Sequence, residues 1–352
     1  MNKILLGKGD SSKREVLFDI LRGIAIILVT WGHVTNALFS GELIYYFPLK
    51  LISATFVMPL FMGICGFFSY KSIMKCDLKS YIFKRIKRIL IPCIVWNIIG
   101  WLITSAVKVT LGDRSIPRFD LTGVWFLWAV FICEMIMLVQ LKLMIKRNLL
   151  IASSVIISII LILCPTDLWY IAWVYPFFSI GVLLNFDCFK ISDKVGWKIW
   201  LFCTTLYSIV LPLFKYEYLV YYSGSSIFGV NPIYSQLLID LFRFIIGCLG
   251  CIAVIGFIKL IIEKLSDSNV ISLIANIGRK SMEIYVMQVV FVETLLMMLI
   301  RYIKPLSSFF LCNVEFTVYC VGLLITILAI IAFLVVKTIV SKWHYLDIFL
   351  FG

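Results

Sequence analysis

Ten stretches of predominantly apolar residues follow one another along this chain, separated by short and mostly basic connectors. They run near 16–39, 46–70, 86–107, 122–144, 149–164, 168–186, 197–214, 237–262, 282–302 and 314–340. A helix needs roughly 20 such residues to cross the hydrocarbon of a bilayer. The fifth stretch is short and the last is long, and the rest fit that length. Hydrophobic residues make up 62% of the chain and charged ones 14%, where a soluble domain carries roughly 25% charged. One water-surrounded core cannot hide that excess, so lipid must be the solvent for much of the surface. The expected fold is therefore all-α: a polytopic membrane bundle of about ten transmembrane helices. It forms a single integral-membrane domain over 1–352, with a polar tail at 1–14. The tail is followed by a run long enough to remain as a span, which argues against a cleavable signal peptide.

The net charge of +13 would suggest nucleic acid in a soluble protein. Here the Lys and Arg residues cluster between apolar runs and report topology instead. With the N-terminus cytoplasmic, the inner stretches hold 24 Lys and Arg residues and the outer ones 7. That bias places both termini in the cytoplasm, in agreement with an even number of spans. Tyr216–Pro232 is a Tyr-, Ser- and Gly-rich connector, and Asn269–Lys280 reads as a short amphipathic or re-entrant piece. Cys248 and Cys251 form a CxxC, but inside an apolar run they read as small packing residues. With two His in the whole chain, a His-rich metal site is not expected, and no metal is assigned.

Ionisable residues inside these runs narrow the function. Such groups are costly at membrane depth and usually face a bundle interior or a wet cavity. Arg22 and His33 are eleven residues apart, which is three helical turns plus about 20° and ~16 Å of rise. They share one helix face with Asp19. Arg22 either snorkels to the headgroups or faces that interior. His33 either bonds a neighbouring helix or acts as a base, since its imidazole titrates near neutrality. Glu134 lies well inside the fourth span with no cation adjacent in sequence, and needs a buried partner or a neutral form. Asp240 and Arg243 are spaced to pair with each other. Glu293 is a further lone acid, read as a structural hydrogen-bonding group. Met58-Pro59 and Gly63…Gly66 in the second span mark tight packing, a kink or a helix break beside a cavity. Lys84-Arg85-Ile-Lys87-Arg88 is either a cytoplasmic anchor or an anion site, Arg being suited to bidentate phosphate recognition. Trp125 sits where interfacial belt residues occur, and Ser281 where a helix cap would.

Together these residues resemble acyltransferase family 3, the bacterial membrane O-acyltransferases, and are similar to its fucose 4-O-acetylase-like branch. The resemblance rests on Asp19-x-Leu21-Arg22-Gly23, the Arg22-x10-His33 spacing, the Pro-Leu-Phe and Gly-Phe-Phe elements of the second span, and the basic run before Pro92. Val124-Trp125-Phe-Leu-Trp128 and Gly278-Arg-Lys-Ser281…Ile284-Tyr285 complete it. It implies transfer of an acyl group, usually acetyl from acetyl-CoA, to a hydroxyl of a sugar or surface glycan. His33 then matches the family's essential histidine and Arg22 its paired arginine. Many members carry a second His where this chain has Gln288, which cannot serve as a base. On this reading His33, Arg22 and Glu134 are the candidate catalytic residues. Arg85, Lys87 and Arg88 are the candidates for the CoA phosphates, and Trp125, Ser281 and Gln288 for the substrate. The expected partners are a glycan or lipid-linked sugar acceptor and membrane lipids, not nucleic acid, and the expected location is the bacterial plasma membrane. The rival reading is a transporter or flippase for a polysaccharide or lipid-linked sugar, which would also bury charges and break helices.

Overall fold

The computed structural model describes all residues except 1–15, 40–46, 113–114, 116, 144–145, 166–167, 187–195, 230 and 265–267; the side chains of 169 and 304–307 are likewise outside the description. The polar tail, Lys190 and Lys194 therefore lie outside the described residues. Those that are described form helices and connecting turns. Seven helices among them are long and apolar enough to cross a membrane: α1 Val16–Phe39, α2 Pro48–Lys75, α3 Leu78–Thr110, α4 Trp125–Leu143, α8 Ile233–Lys264, α10 Ser281–Tyr302 and α11 Val314–Val340. Three shorter apolar helices, α5 Arg147–Ile162, α6 Ile171–Phe186 and α7 Trp197–Leu213, fall on the fifth, sixth and seventh apolar runs. The chain is thus a polytopic helical membrane protein. The amphipathic piece is helix α9, Asn269–Arg279, with the Ser268 hydroxyl accepting from the Val270 amide as its N-cap. A last helix, α12, spans His344–Phe351.

The helices form two compact units. One comprises 1–50, 86–125 and 262–352, the other 51–85 and 126–261.

In the first unit α9 lies directly on the inner end of α1. A methyl on Gly278 would come within 1.7 Å of the Asp19 carbonyl oxygen, and one on Gly23 within 2.1 Å of the Ile274 carbonyl oxygen. Only hydrogen fits at either place, so these glycines fix how closely the two backbones approach. Further along α1, the Trp31 indole donates to the Val318 carbonyl of α11 at 3.1 Å. The Trp96 indole of α3 donates to the Leu350 carbonyl of α12 at 2.8 Å. Lys337 on α11 is ion-paired with Asp347 and stands 4.0 Å from Glu283.

In the second unit α2 and α6 pack backbone to backbone through Gly66 and Gly181, as the small residues of the second span imply. Asn185 donates to the Phe67 carbonyl beside them. Pro59 is accommodated within a continuous α2, so no helix break occurs there. Asp240 and Arg243 pair as their spacing predicts, and Arg243 also donates to the Gly224 carbonyl at 2.6 Å. Cys251 is half-buried, its thiol 3.7 Å from the Phe56 carbonyl, as befits a packing residue.

Candidate active site

Helix α1 carries two polar stations, one near each end. At the inner station Asp19 is buried, and both Arg22 and Arg279 face its carboxylate, Nη1 to Oδ1 at 3.8 Å and Nη1 to Oδ2 at 3.5 Å. Arg279 also donates to Asn276 Oδ1 at 2.6 Å. The Gly278 contact sets this up, because it brings the last turn of α9 against Asp19. Two guanidinium groups on one buried carboxylate leave a net positive charge where α1 enters the bundle.

At the outer station His33 Nδ1 lies 3.5 Å from Glu293 Oε2. The imidazole is about one-fifth exposed and the carboxylate two-fifths. Lys50, at the start of α2, turns back onto α1. Its ammonium donates to the Gly32 carbonyl at 2.7 Å and to Asn36 Oδ1 at 3.3 Å. Glu293 interacts electrostatically with both His33 and Lys50. A histidine, a carboxylate and a lysine amine therefore form one polar cluster within an apolar bundle.

Glu293 owes its position to a change of helical winding. α10 passes from α-helix to π-helix over Val289–Leu296, and the Thr294 hydroxyl bonds the Val289 carbonyl five residues back at 3.2 Å. In an i→i+5 ladder each turn holds an extra residue, which rotates everything beyond it about the helix axis. A face predicted at 100° per residue is wrong past Gln288. The sequence presented Glu293 as a lone structural acid because its partner, His33, stands on another helix. Lys50 was missed for another reason: it counted only as one of the outer loop charges.

The second unit holds a different centre. Arg85 Nη2 meets Glu134 Oε1 at 3.0 Å, the Ser69 hydroxyl donates to the same oxygen at 2.6 Å, and the guanidinium lies 5.1 Å from the centre of the Tyr81 ring. Glu134 thus has the buried partner that its place in the sequence demanded. Lys87 and Arg88 are exposed on the π-helical turn Ile86–Leu90, in the first unit.

Of the remaining candidates, Trp125 opens α4 half-buried and Ser281 is the first residue of α10, with Lys280 in the capping position. Gln288 is fully buried, and its amide has no hydrogen-bond partner among the described residues. Seven of the nine candidates, Arg22, His33, Lys87, Arg88, Trp125, Ser281 and Gln288, belong to the first unit, whereas Arg85 and Glu134 belong to the second.

The fold is that of a polytopic integral-membrane protein, and its first unit holds a histidine–carboxylate pair among basic groups. Comparison with known families makes this specific: the family model described as an acyltransferase domain, acyltransferase family 3, matches residues 16–335. The chain belongs to that family. It is also similar to nodulation protein NolL of Mesorhizobium japonicum, 27% identical over 198 residues, covering 53% of this chain and 50% of the relative. NolL of Sinorhizobium fredii is 28% identical over 187 residues, covering 49% of each. The chain spans about half the length of these curated relatives. No solved structure matches it.

Proposed function

We propose that this chain is an O-acyltransferase of the bacterial plasma membrane, with both termini cytoplasmic. It moves acetyl from acetyl-CoA to a hydroxyl of a sugar in a lipid-linked or cell-surface glycan. The observation that carries this reading is His33 facing Glu293 within a chain of this family. Acyl transfer to an alcohol needs a base for the hydroxyl proton, and a histidine backed by a carboxylate is well suited to it. The acceptor oxygen attacks the thioester carbonyl carbon while His33 takes its proton. The carbon–sulfur bond then breaks, and the proton passes to the departing CoA sulfur. Glu293 orients the imidazole and offsets its transient positive charge.

The donor is polyanionic and cytosolic. Lys87 and Arg88, exposed on the π-helical turn of α3, and Arg22, at the inner end of α1, supply positive charge for its phosphates. The rise of ~16 Å from Arg22 to His33 suits a donor whose phosphates stay at the cytoplasmic end while its thioester reaches inward. Glu134 serves as the counter-ion of Arg85 in this reading, and Ser281, Trp125 and Gln288 are offered to the substrate. The test is transfer of radiolabelled acetyl from acetyl-CoA to envelope glycans in isolated membranes. His33→Ala, correctly inserted, lowers turnover by about 100-fold or more; wild-type turnover in that variant would refute the assignment.

A further inference from the structure

A base accounts for only half of an acyl transfer. When the acceptor oxygen adds to the thioester, the carbonyl electron pair moves onto oxygen, and that negative charge must be met inside an apolar bundle. Fixed donors aimed at such an oxyanion are usually the largest single contribution to catalysis of this kind. The first unit contains a cation beside the base. Lys50 Nζ is held at 2.7 Å by the carbonyl of Gly32, the residue immediately before His33, and at 3.3 Å by Asn36 one turn on. The lysine amine is a donor, and both partners are acceptors, so two of its N–H groups are held in place on α1. Glu293 faces His33 at 3.5 Å and interacts electrostatically with Lys50.

The backbone is shaped for this placement. A methyl on Gly32 would come within 2.9 Å of Lys50 Nζ and 3.6 Å of its Cε. Glycine at 32 therefore clears the seat that the ammonium occupies. Gly32 and Lys50 are 18 positions apart on different helices, and no local requirement of α1 calls for glycine there. Gly32 lies in the middle of a long helix, has no positive φ, and would favour helix more strongly as alanine.

We infer that Lys50, seated on the Gly32 carbonyl, is a second catalytic group that stabilises the oxyanion formed when the acceptor attacks the thioester. This rests on the acyl-transfer reading above. In the balanced step, the new carbon–oxygen bond forms as His33 takes the hydroxyl proton. The carbonyl oxygen gains the electron pair next to the ammonium, and the pair returns as the carbon–sulfur bond breaks and CoA leaves protonated.

The experiment uses the full chain in isolated membranes, with radiolabelled acetyl-CoA and the endogenous envelope acceptor, and reads kcat and the KM for acetyl-CoA. Lys50→Met lowers kcat by about 100-fold with little change in KM, and Lys50→Arg recovers part of the loss. Gly32→Ala displaces the ammonium while keeping its charge, and lowers kcat by about tenfold or more with no loss of thermal stability. That variant carries the test if Lys50→Met fails to insert, because alanine favours the helix. Wild-type kcat in Gly32→Ala or in Lys50→Met, or an effect confined to KM, overturns the inference. The parallel His33→Ala measurement separates the two readings. An inactive His33→Ala with an active Lys50→Met removes Lys50 alone, whereas an active His33→Ala, or wild-type membranes that transfer no acetyl, removes the acyl-transfer reading and Lys50 with it.

Discussion

His33 and Glu293, on helices at opposite ends of the chain, face each other across 3.5 Å, Nδ1 to Oε2. Neither residue has a comparable partner within its own helix, so the pair exists only because α1 and α10 pack in the same unit. Such pairs are often loose without substrate and tighten when it binds. Glu293→Ala is expected to lower kcat for acetyl transfer by about 100-fold. Glu293→Gln is expected to lose less, because its amide oxygen leaves a polar acceptor facing Nδ1. The KM for acetyl-CoA should stay near the wild-type value in both, as neither change touches the donor's phosphates. Steady-state kinetics in membranes checks this.

The Arg85–Glu134 pair makes a prediction about stability instead of rate. Both groups are largely buried, so removing one strands the other in a poorly solvated place. Glu134→Ala is expected to cost about 3–5 kcal/mol. The double change Arg85→Met, Glu134→Leu should recover most of that, because a well-packed apolar pair can replace a buried ion pair at little cost. Unfolding of the purified protein in detergent, run as a double-mutant cycle, measures both. Additive losses would mean that the two side chains do not depend on each other.

Much of this was legible in the sequence because bilayer thickness is a strong constraint. Each predicted span has its helix, including the three short ones, and even the lone Glu134 announced that a cation had to be found for it. Helical phase correctly grouped Asp19 with Arg22, since α1 is regular throughout. It could not pair Glu293 with His33, which stands on another helix. It could say nothing of Lys50, whose role depends on a contact between two helices. The glycines were visible as part of a motif, but not why they are glycine: at Gly278 the reason is the carbonyl of Asp19, more than 250 positions earlier.

That contact can be tested directly. Gly278→Ala places a methyl where a carbonyl oxygen already stands, at 1.7 Å, and neither partner is a flexible side chain. The helices must separate, which is expected to cost about 1–3 kcal/mol or more. Arg279, the residue after the contact, should then move away from Asp19. Gly23→Ala, against the Ile274 carbonyl, should behave alike. Lower thermal midpoints in detergent, with easier proteolysis near α9, are the expected readouts; a wild-type midpoint would mean that the two helices are not so closely apposed.

The first turn of α3 offers a test that depends on pH. Asp77 is exposed just before the helix, and its carboxylate accepts from the Ser80 amide at 3.0 Å. Hydrogen bonds from the Ser80 hydroxyl and amide hold the Asp77 carboxyl below its usual range. A depressed folded-state pKa means that the charged form is favoured by folding. The contribution is complete above the unfolded value of about 3.9 and is lost as pH falls through the lower, folded value. The turn it caps leads to Tyr81 and Arg85, so fraying there should loosen the approach to Glu134. Hydrogen exchange over Leu78–Arg85, corrected for intrinsic rates, is expected to show protection falling as pH drops below the unfolded value of about 3.9. Asp77→Asn should keep the cap, since Asn serves nearly as well at this position, and should remove the pH dependence. Asp77→Ala should lower protection at every pH. An unchanged acid response in Asp77→Asn would assign the effect to another group.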